Sequence, residues 1–303
     1  MMNNSQKSPI PESPLVSIAI PVFNSESTLV AAIESALAQD YRNLEILISD
    51  NASTDNTAEI CRYYQQRDTR IVFYPQPENF GMHRNFLFLL EKASGEYFRW
   101  LGSDDVISIN SISSSLRVLQ LSPESVACAS PHFFDHELKE RKPPTSFQLH
   151  GSEFSRIKSF FSAPGRSHGL FYALIKRDLL RNYSLLSVDF FASDWCLILY
   201  LLSKGPLESA QDTYLVSGSK GLSSSNSIYT HYGLTGWKRI LPFWQFTISV
   251  IATSTAWSSL GRMYLIHKLI LFNFKNLLLE HRILRYKFSA LRANLALFLK
   301  KLC

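Results

Sequence analysis

Two adjacent carboxylates, Asp104 and Asp105, close the stretch Gly95-Glu-Tyr-Phe-Arg-Trp-Leu-Gly-Ser-Asp-Asp105. The apolar run Tyr97–Leu101 before them reads as a short buried strand. Paired carboxylates at the edge of a core repel each other and are costly to bury unless a cation or hydrogen-bond donors offset the charge. Oxygen ligands at a strand end suit Mg²⁺ or Mn²⁺, which usually take one or two carboxylates together with the phosphates of a substrate. A solvated acidic turn accounts for the pair equally well on this stretch alone. Two further acidic positions have a similar setting. Asp50 follows the strand-like Leu44–Ile48, and Asp194 opens an apolar stretch of helical length, Trp195–Lys204.

The elements that must position these residues alternate in type. Val16–Ile20 is a strand pattern. Leu29, Ile33 and Leu37 then recur every four residues as one helix face, with Ser27 placed as its cap. Leu44–Ile48 is a second strand, followed by a helix running to about Gln66. Ile71–Tyr74 is a third strand, and Met82–Ala93 a third helix after the turn Asn79-Phe-Gly81. Strands alternating with helices at these lengths predict an α/β fold with a mostly parallel central sheet covered on both faces. In such sheets ligands bind beyond the carboxyl ends of the strands. Three polar clusters, Phe23-Asn-Ser-Glu26, Asp50-Asn51 and Ser103-Asp-Asp105, should therefore meet along one sheet edge. An acidic crevice there is suited to a nucleotide diphosphate held through a divalent cation. Neither GxxxxGK[ST] nor GxGxxG occurs, so the P-loop and the dinucleotide fingerprint are both absent.

Further along, Asn110–Leu121 reads as a helix and Val126–Ser130 as a strand. Residues 131–152 read as irregular, with a Lys-Pro-Pro turn at 142–144, and Glu153–Phe161 as helical. Gly165–Gly169 reads as a polar turn containing His168, placed to reach an acceptor or a phosphate, or to serve as a structural histidine. Leu170–Ile175 and Asp212–Val216 read as strands, and Ser217–Ser227 as a Ser/Gly loop.

The 303 residues are 46% apolar, enough for a substantial core. The four cysteines form no CxxC pair and fit a reducing compartment. The first fourteen residues are polar, contain Pro9, Pro11 and Pro14, and lack the apolar run of a signal peptide, so a disordered lead-in is expected. The net charge of +6 is concentrated at one end: from Arg262 to Cys303 there are nine Lys/Arg and one acid, Glu280. Ile240–Gly261 is a 22-residue run without charge, but eight of its residues are Ser, Thr or Gln, which weakens a membrane-spanning reading. Beyond it, Leu/Ile/Phe clusters alternate with Lys/Arg at helical spacing, and Leu265, Leu269, Phe272, Asn276 and Leu279 share one face. A basic amphipathic region of this kind suits an anionic membrane surface. Packing on the main domain is the alternative. Nucleic-acid contact is disfavoured, because the aromatic residues fall among the apolar ones and form no exposed stacking row. The expected domains are a lead-in at 1–14, an α/β domain at 15–225 and a helical, basic region at 226–303.

Four motifs stand in order: Ser17-Ile-Ala-Ile-Pro-Val-Phe-Asn24, Ile48-Ser-Asp-Asn-Ala-Ser-Thr-Asp55, Asn79-Phe-Gly-Met-His-Arg-Asn85 and Trp100-Leu-Gly-Ser-Asp-Asp105. Together they resemble the family 2 glycosyltransferases of GT-A fold, over roughly residues 15–220. The resemblance implies a nucleotide-sugar donor, UDP-linked most often, and a divalent cation. It also implies inversion at the anomeric carbon and a saccharide or lipid-linked acceptor in cell-surface polysaccharide or lipopolysaccharide assembly. It implies that Asp50, with Asn51, binds the base, while Pro21, Phe23 and Glu26 line the base and ribose pocket. Arg84 would lie near the diphosphate, with Gly81 letting the backbone approach. Ser103 and Asp104 match the last two positions of the Asp-x-Asp motif, Asp104 being the metal ligand and Asp105 a second candidate. Asp194 matches the catalytic base. Gly102 stands where the motif's first Asp often sits. A cytoplasmic protein, peripheral on the inner face of the plasma membrane, is expected. Two alternatives are a metal-dependent nucleotidyltransferase, which usually carries a basic Gly-rich loop absent at Asn24–Thr28, and a non-catalytic scaffold that kept the fold.

Overall fold

Val16–Val22 (β1) is seven buried residues, and its central place in the main sheet follows from that burial on both faces. The computed structural model describes residues 13–135, 148–162, 168–183, 192–218, 243–253 and 258–274. Elements are numbered along these. After β1 come α1 (Leu29–Leu37), β2 (Leu44–Asp50), α2 (Thr57–Gln65), β3 (Ile71–Pro75), α3 (Met82–Lys92) and β4 (Tyr97–Trp100). Next are β5 (Val106–Ile107), α4 (Ser111–Leu121), β6 (Ala127–Ala129), β7 (His132–Phe134), α5 (Glu153–Ser162) and α6 (His168–Phe171). Then follow β8 (Leu174–Lys176), α7 (Arg177–Arg181), α8 (Ser193–Lys204), β9 (Leu207–Ser209), β10 (Leu215–Ser217), α9 (Trp244–Thr253) and α10 (259–274).

The main sheet has seven strands in the order β3-β2-β1-β4-β8-β6-β9. β1 pairs in parallel with β2 and β4, and β2 with β3, as the alternating pattern requires. β8 is antiparallel to both β4 and β6. A second sheet of three short strands, β5-β10-β7, stands beside the carboxyl end of β4. Alternation along the strands divides the core in two. Ile18, Ile20, Ile46 and Ile48 face one way with α1, while Ala19, Leu47, Phe98 and Trp100 face the other, where α3, α8 and the C-terminal helices pack.

Several local expectations are corrected. Helix α1 starts at Leu29 with Thr28 at the cap position, so Ser27 is not the cap. His168 opens a one-turn helix, and the strand expected at 170–175 begins only at Leu174. The segment read as irregular contains β7, whose three residues carry too little pattern to detect. Asp212 lies in a turn ahead of β10. The boundary expected near 225, the Lys-Pro-Pro turn at 142–144 and the lead-in residues 1–12 lie outside the described residues.

The C-terminal helices show the largest difference. The apolar run 240–261 is not one helix: α9 ends at Thr253 and α10 begins at residue 259. Among the described residues no helix is long and apolar enough to cross a membrane. The face bearing Leu265, Leu269 and Phe272 is packed against the domain. Leu265 and Leu269 are 0% exposed, and Phe272 meets Trp195, Phe243 and Phe161 with ring centroids 5.5–5.9 Å apart. Removing such a buried side chain leaves a cavity, so Leu269→Ala should cost about 2–4 kcal/mol in urea unfolding. An unchanged midpoint would mean that α10 does not dock.

Candidate active site

Because β1, β2 and β4 run parallel, their carboxyl ends open on one edge, and short hydrogen bonds knit the loops that leave them. Ser25, just after β1, is the junction. Its N–H donates to Thr57 Oγ1 at 2.7 Å, at the start of α2, and its hydroxyl shares a 2.8 Å bond with that of Ser103, after β4. The Asn24 N–H donates to Ser53 Oγ at 2.8 Å, and the Glu26 carboxylate accepts from the Asn56 N–H at 3.1 Å and Asn56 Nδ2 at 2.9 Å. Asn24 and Ala52 adopt left-handed backbone at these bends.

Asp50 is buried at the end of β2, with Oδ1 accepting from the Ser53 N–H at 3.1 Å and from the Ser53 hydroxyl. Asn51 is buried beside it and donates from Nδ2 to Asn79 Oδ1 at 2.8 Å, while its own Oδ1 accepts from the Phe80 N–H at 2.9 Å. These bonds fix the turn that leads into α3. Gly81 stands at the N-cap of α3 with φ +88°, a region where a side chain would be strained. Arg84 is exposed in the first turn of that helix. Pro21 is buried opposite Ser49 on β2, and Phe23 is 46% exposed, an aromatic face open at the sheet edge.

The acidic pair is held from the second sheet. Asp105 turns inward and is 3% exposed. Its Oδ1 accepts from the Gly218 N–H at 3.2 Å, and the Ser217 hydroxyl also bonds to it. Ser217 in turn shares a 3.0 Å bond with Nε2 of the buried His132 on β7. Burial, then the charge of Asp104, pushes the Asp105 carboxyl up to about 6. Oδ2 of Asp104 and Oδ2 of Asp105 are both buried without a hydrogen-bond partner. Among the described residues no group of three His, Cys, Asp or Glu side chains could hold a metal. Two adjacent orphan carboxylate oxygens with no further protein ligand fit a hard cation that takes its remaining ligands from water and a phosphate-bearing substrate.

Gly102 and Gly218 pack directly on this pair. A Cβ at Gly102 would lie 2.7 Å from Asp105 Oδ2, and one at Gly218 would lie 2.5 Å from both the carbonyl oxygen and Oδ2 of Asp104. An aspartate at position 102 is thus excluded here unless Asp105 moves.

Asp194 lies in the first turn of α8, with Ala192, in left-handed backbone, at the cap position. Burial pushes its carboxyl up to about 6, against the lowering effect of the backbone N–H groups of Asp194 and Trp195. Trp195 beside it stacks on Phe243 and contacts Phe160, Phe246 and Phe272. Tyr172 connects this element to the acidic pair. It follows α6, which packs on α8, and it packs against both halves of the core. Burial raises its pKa, and the charges of Asp105, Asp104 and Asp194 act in the same direction. His168 opens α6 on the same element. Ser25, Ser217, Gly218, His132 and Tyr172 escaped the sequence reading because each acts through contacts far apart in the chain.

The arrangement is that of the GT-A fold. The mannosyltransferase PcManGT of Pyrobaculum calidifontis, solved with GDP-Man and Mn²⁺, superposes with TM-score 0.59 at 17% identity, covering 94% of this chain and 79% of that one. S. aureus TarS 1–349 in complex with UDP-GlcNAc gives TM-score 0.64 at 14% identity, with coverages of 84% and 71%. These likenesses establish the GT-A fold. Residues 17–184 match the sequence profile of Glycosyl transferase family 2, and the chain belongs to that family. The Campylobacter jejuni GalNAc(5)-diNAcBac-PP-undecaprenol beta-1,3-glucosyltransferase is 32% identical over 176 residues, 56% of this chain and 54% of that protein. Glycosyltransferase GlyG of Streptococcus pneumoniae is 31% identical over 123 residues, 41% of each chain. The chain thus spans about a third to a half of the length of such curated relatives.

Two outcomes are expected. Asp194 has a raised folded-state pKa, so its ionisation costs stability above about pH 6 and costs nothing below the ordinary carboxylate range. Asp194→Asn should therefore raise the Tm at pH 8 by about 2–4 °C, the response of a protein this size to ~1 kcal/mol, and lose that advantage by pH 4. Gly218→Ala should leave the protein folded but displace Asp104, weakening Mn²⁺-dependent nucleotide binding on the order of tenfold in calorimetry, or ~1.4 kcal/mol.

Proposed function

We propose that the protein is an inverting glycosyltransferase. In this reading it moves a sugar from a nucleotide-diphosphate donor, a UDP-sugar first among them, to a hydroxyl of a saccharide or lipid-linked acceptor in cell-surface polysaccharide or lipopolysaccharide assembly. One observation supports the reading: the partnerless buried oxygens of Asp104 and Asp105 follow the strand whose edge also carries Asp50 and Asn51, the loops there being joined through Ser25 with Ser103 and Asn24 with Ser53. The UDP-GlcNAc complex of TarS and the GDP-Man complex of PcManGT support a nucleotide-sugar donor. The undecaprenol-linked compound in the name of the C. jejuni relative supports a lipid-linked acceptor.

The donor's base lies against Phe23 and Pro21 and meets the Asp50 carboxylate, which Ser53 orients. Glu26 and Ser103 flank the ribose side. Arg84, exposed at the start of α3, faces the diphosphate. A divalent cation, Mn²⁺ or Mg²⁺, would be held by Asp104, with Asp105 as second candidate, and would offset the negative charge that grows on the leaving diphosphate. The acceptor oxygen forms its bond to the anomeric carbon as the bond from that carbon to the phosphate oxygen breaks, and the acceptor's proton passes to Asp194. A carboxyl near 6 is ionised at neutral pH yet more basic than an ordinary aspartate, which suits this role. His168, at the start of α6, is assigned a contact with the acceptor or the leaving phosphate. The basic charge of the C-terminal region supports a position on the cytoplasmic face of an anionic membrane, beside such an acceptor.

A thermal-shift screen with UDP, GDP, CMP and TDP, with and without Mn²⁺, tests the donor site, since a ligand that binds only the folded state raises its stability. A metal-dependent shift with one nucleotide, lost in Asp104→Ala, is expected. A folded protein that responds to none of them would favour the scaffold reading. Turnover should fall as pH drops through about 6, the value to which Asp194 is raised, and a rate flat from pH 5 to 8 would remove Asp194 as the base.

A further inference from the structure

Helix α10 is apolar on two opposite sides. At 3.6 residues per turn, Gly261, Leu265, Leu269 and Phe272 line the side that packs into the domain. Leu260, Met263, His267, Ile270, Leu271 and Phe274 occupy an arc of about 100° on the other side. Met263 is 70% exposed, Leu260 63%, Ile270 61% and Phe274 54%. Neighbouring α9 adds Trp244 and Ile248, 45% and 49% exposed. Asn273 Nδ2 donates to Thr247 Oγ1 at 2.8 Å, joining the two helices, so both sets of residues belong to one end of the molecule. Scattered exposed apolar residues are normal on a protein surface, but exposed apolar side chains aligned along one side of a helix mark a contact face.

The charge around the stripe selects its partner. The described residues of α9 and α10 include no acid, while Arg262 and Lys268 lie on opposite flanks of the stripe. From Arg262 to Cys303 the chain carries nine Lys/Arg against Glu280 alone. A second copy would bring the same positive charge against itself. A surface of anionic phospholipid complements it, and each nearby basic residue adds to such binding. We propose that the Leu260–Met263–Ile270–Phe274 stripe is the face with which the protein lies on an anionic bilayer. The apolar side chains enter the boundary between headgroups and acyl chains, and Arg262 and Lys268 reach the phosphates. The proposal rests on the membrane partner put forward above and names the surface, which is not the Leu265–Leu269–Phe272 face that the sequence pattern indicated.

Vesicle flotation of the full-length chain tests it, using phosphatidylcholine alone and phosphatidylcholine with phosphatidylglycerol. Wild type should bind the anionic vesicles, bind less as salt rises, and bind phosphatidylcholine weakly. Ile270→Glu/Phe274→Glu should reduce anionic-vesicle binding tenfold or more while keeping the wild-type circular dichroism and nucleotide-dependent thermal shift. Leu260→Gln/Met263→Gln, further along the same stripe, provides a second variant should the first misfold. Absence of wild-type binding, or equal binding by folded variants, overturns the proposal. So does a wild-type dimer in light scattering that the variants convert to monomer. Vesicle binding and nucleotide response are read on the same protein, so loss of one without the other separates the surface from the transferase reading.

Discussion

Two carboxylates that cannot move apart are the constraint on which the site depends. Asp104 and Asp105 are neighbours in sequence at the end of a fully buried strand, and each has a buried oxygen without a partner. The cost of that arrangement is met from a distance. The Ser217 hydroxyl from β10 and the N–H of Gly218 just after it serve Asp105, and His132 of β7 steadies that hydroxyl. The three-stranded sheet thus bonds directly to the acidic pair. The glycines at 102 and 218 follow from the same crowding, because the carboxylates fill the space that side chains there would need.

Arg99 belongs to the same balance. It is fully buried on β4, donates from Nη1 to Ser111 Oγ at 2.7 Å, and leaves Nε and Nη2 without partners. Burial lowers its pKa to about 10, and the charge of Asp105 acts the other way. An isolated guanidinium in a core is expensive, and a nearby carboxylate lessens the cost. Arg99 precedes Leu101 and the acidic pair follows it, so one stretch of chain supplies both signs of charge.

Much of the fold was legible in the residues because burial on both faces of a parallel sheet leaves a distinct signature. Val16–Val22 is apolar but for Ser17, Leu44–Ile48 is apolar but for Glu45, and Leu29, Ile33 and Leu37 mark a helix face. That pattern, with the rule that ligands meet strand carboxyl ends, brought Phe23–Glu26, Asp50-Asn51 and Ser103–Asp105 to one edge, where Ser25 joins the first cluster to the last and Asn24, through Ser53, joins it to Asp50. Short elements escaped. Strands β5, β7 and β9 have two or three residues each, too few for any period, and α6 is a single turn.

By itself the sequence determined the order of the elements, the sheet edge on which polar clusters gather, and the basic character of one end, since each depends on periodicity or on local charge. Tertiary structure alone decided which groups support the acidic pair. It also decided which side of the C-terminal helix is free. Helical spacing identifies apolar faces but cannot tell one that meets Trp195 and Phe243 from one that meets solvent. That distinction arises only when distant segments compete for the same surface.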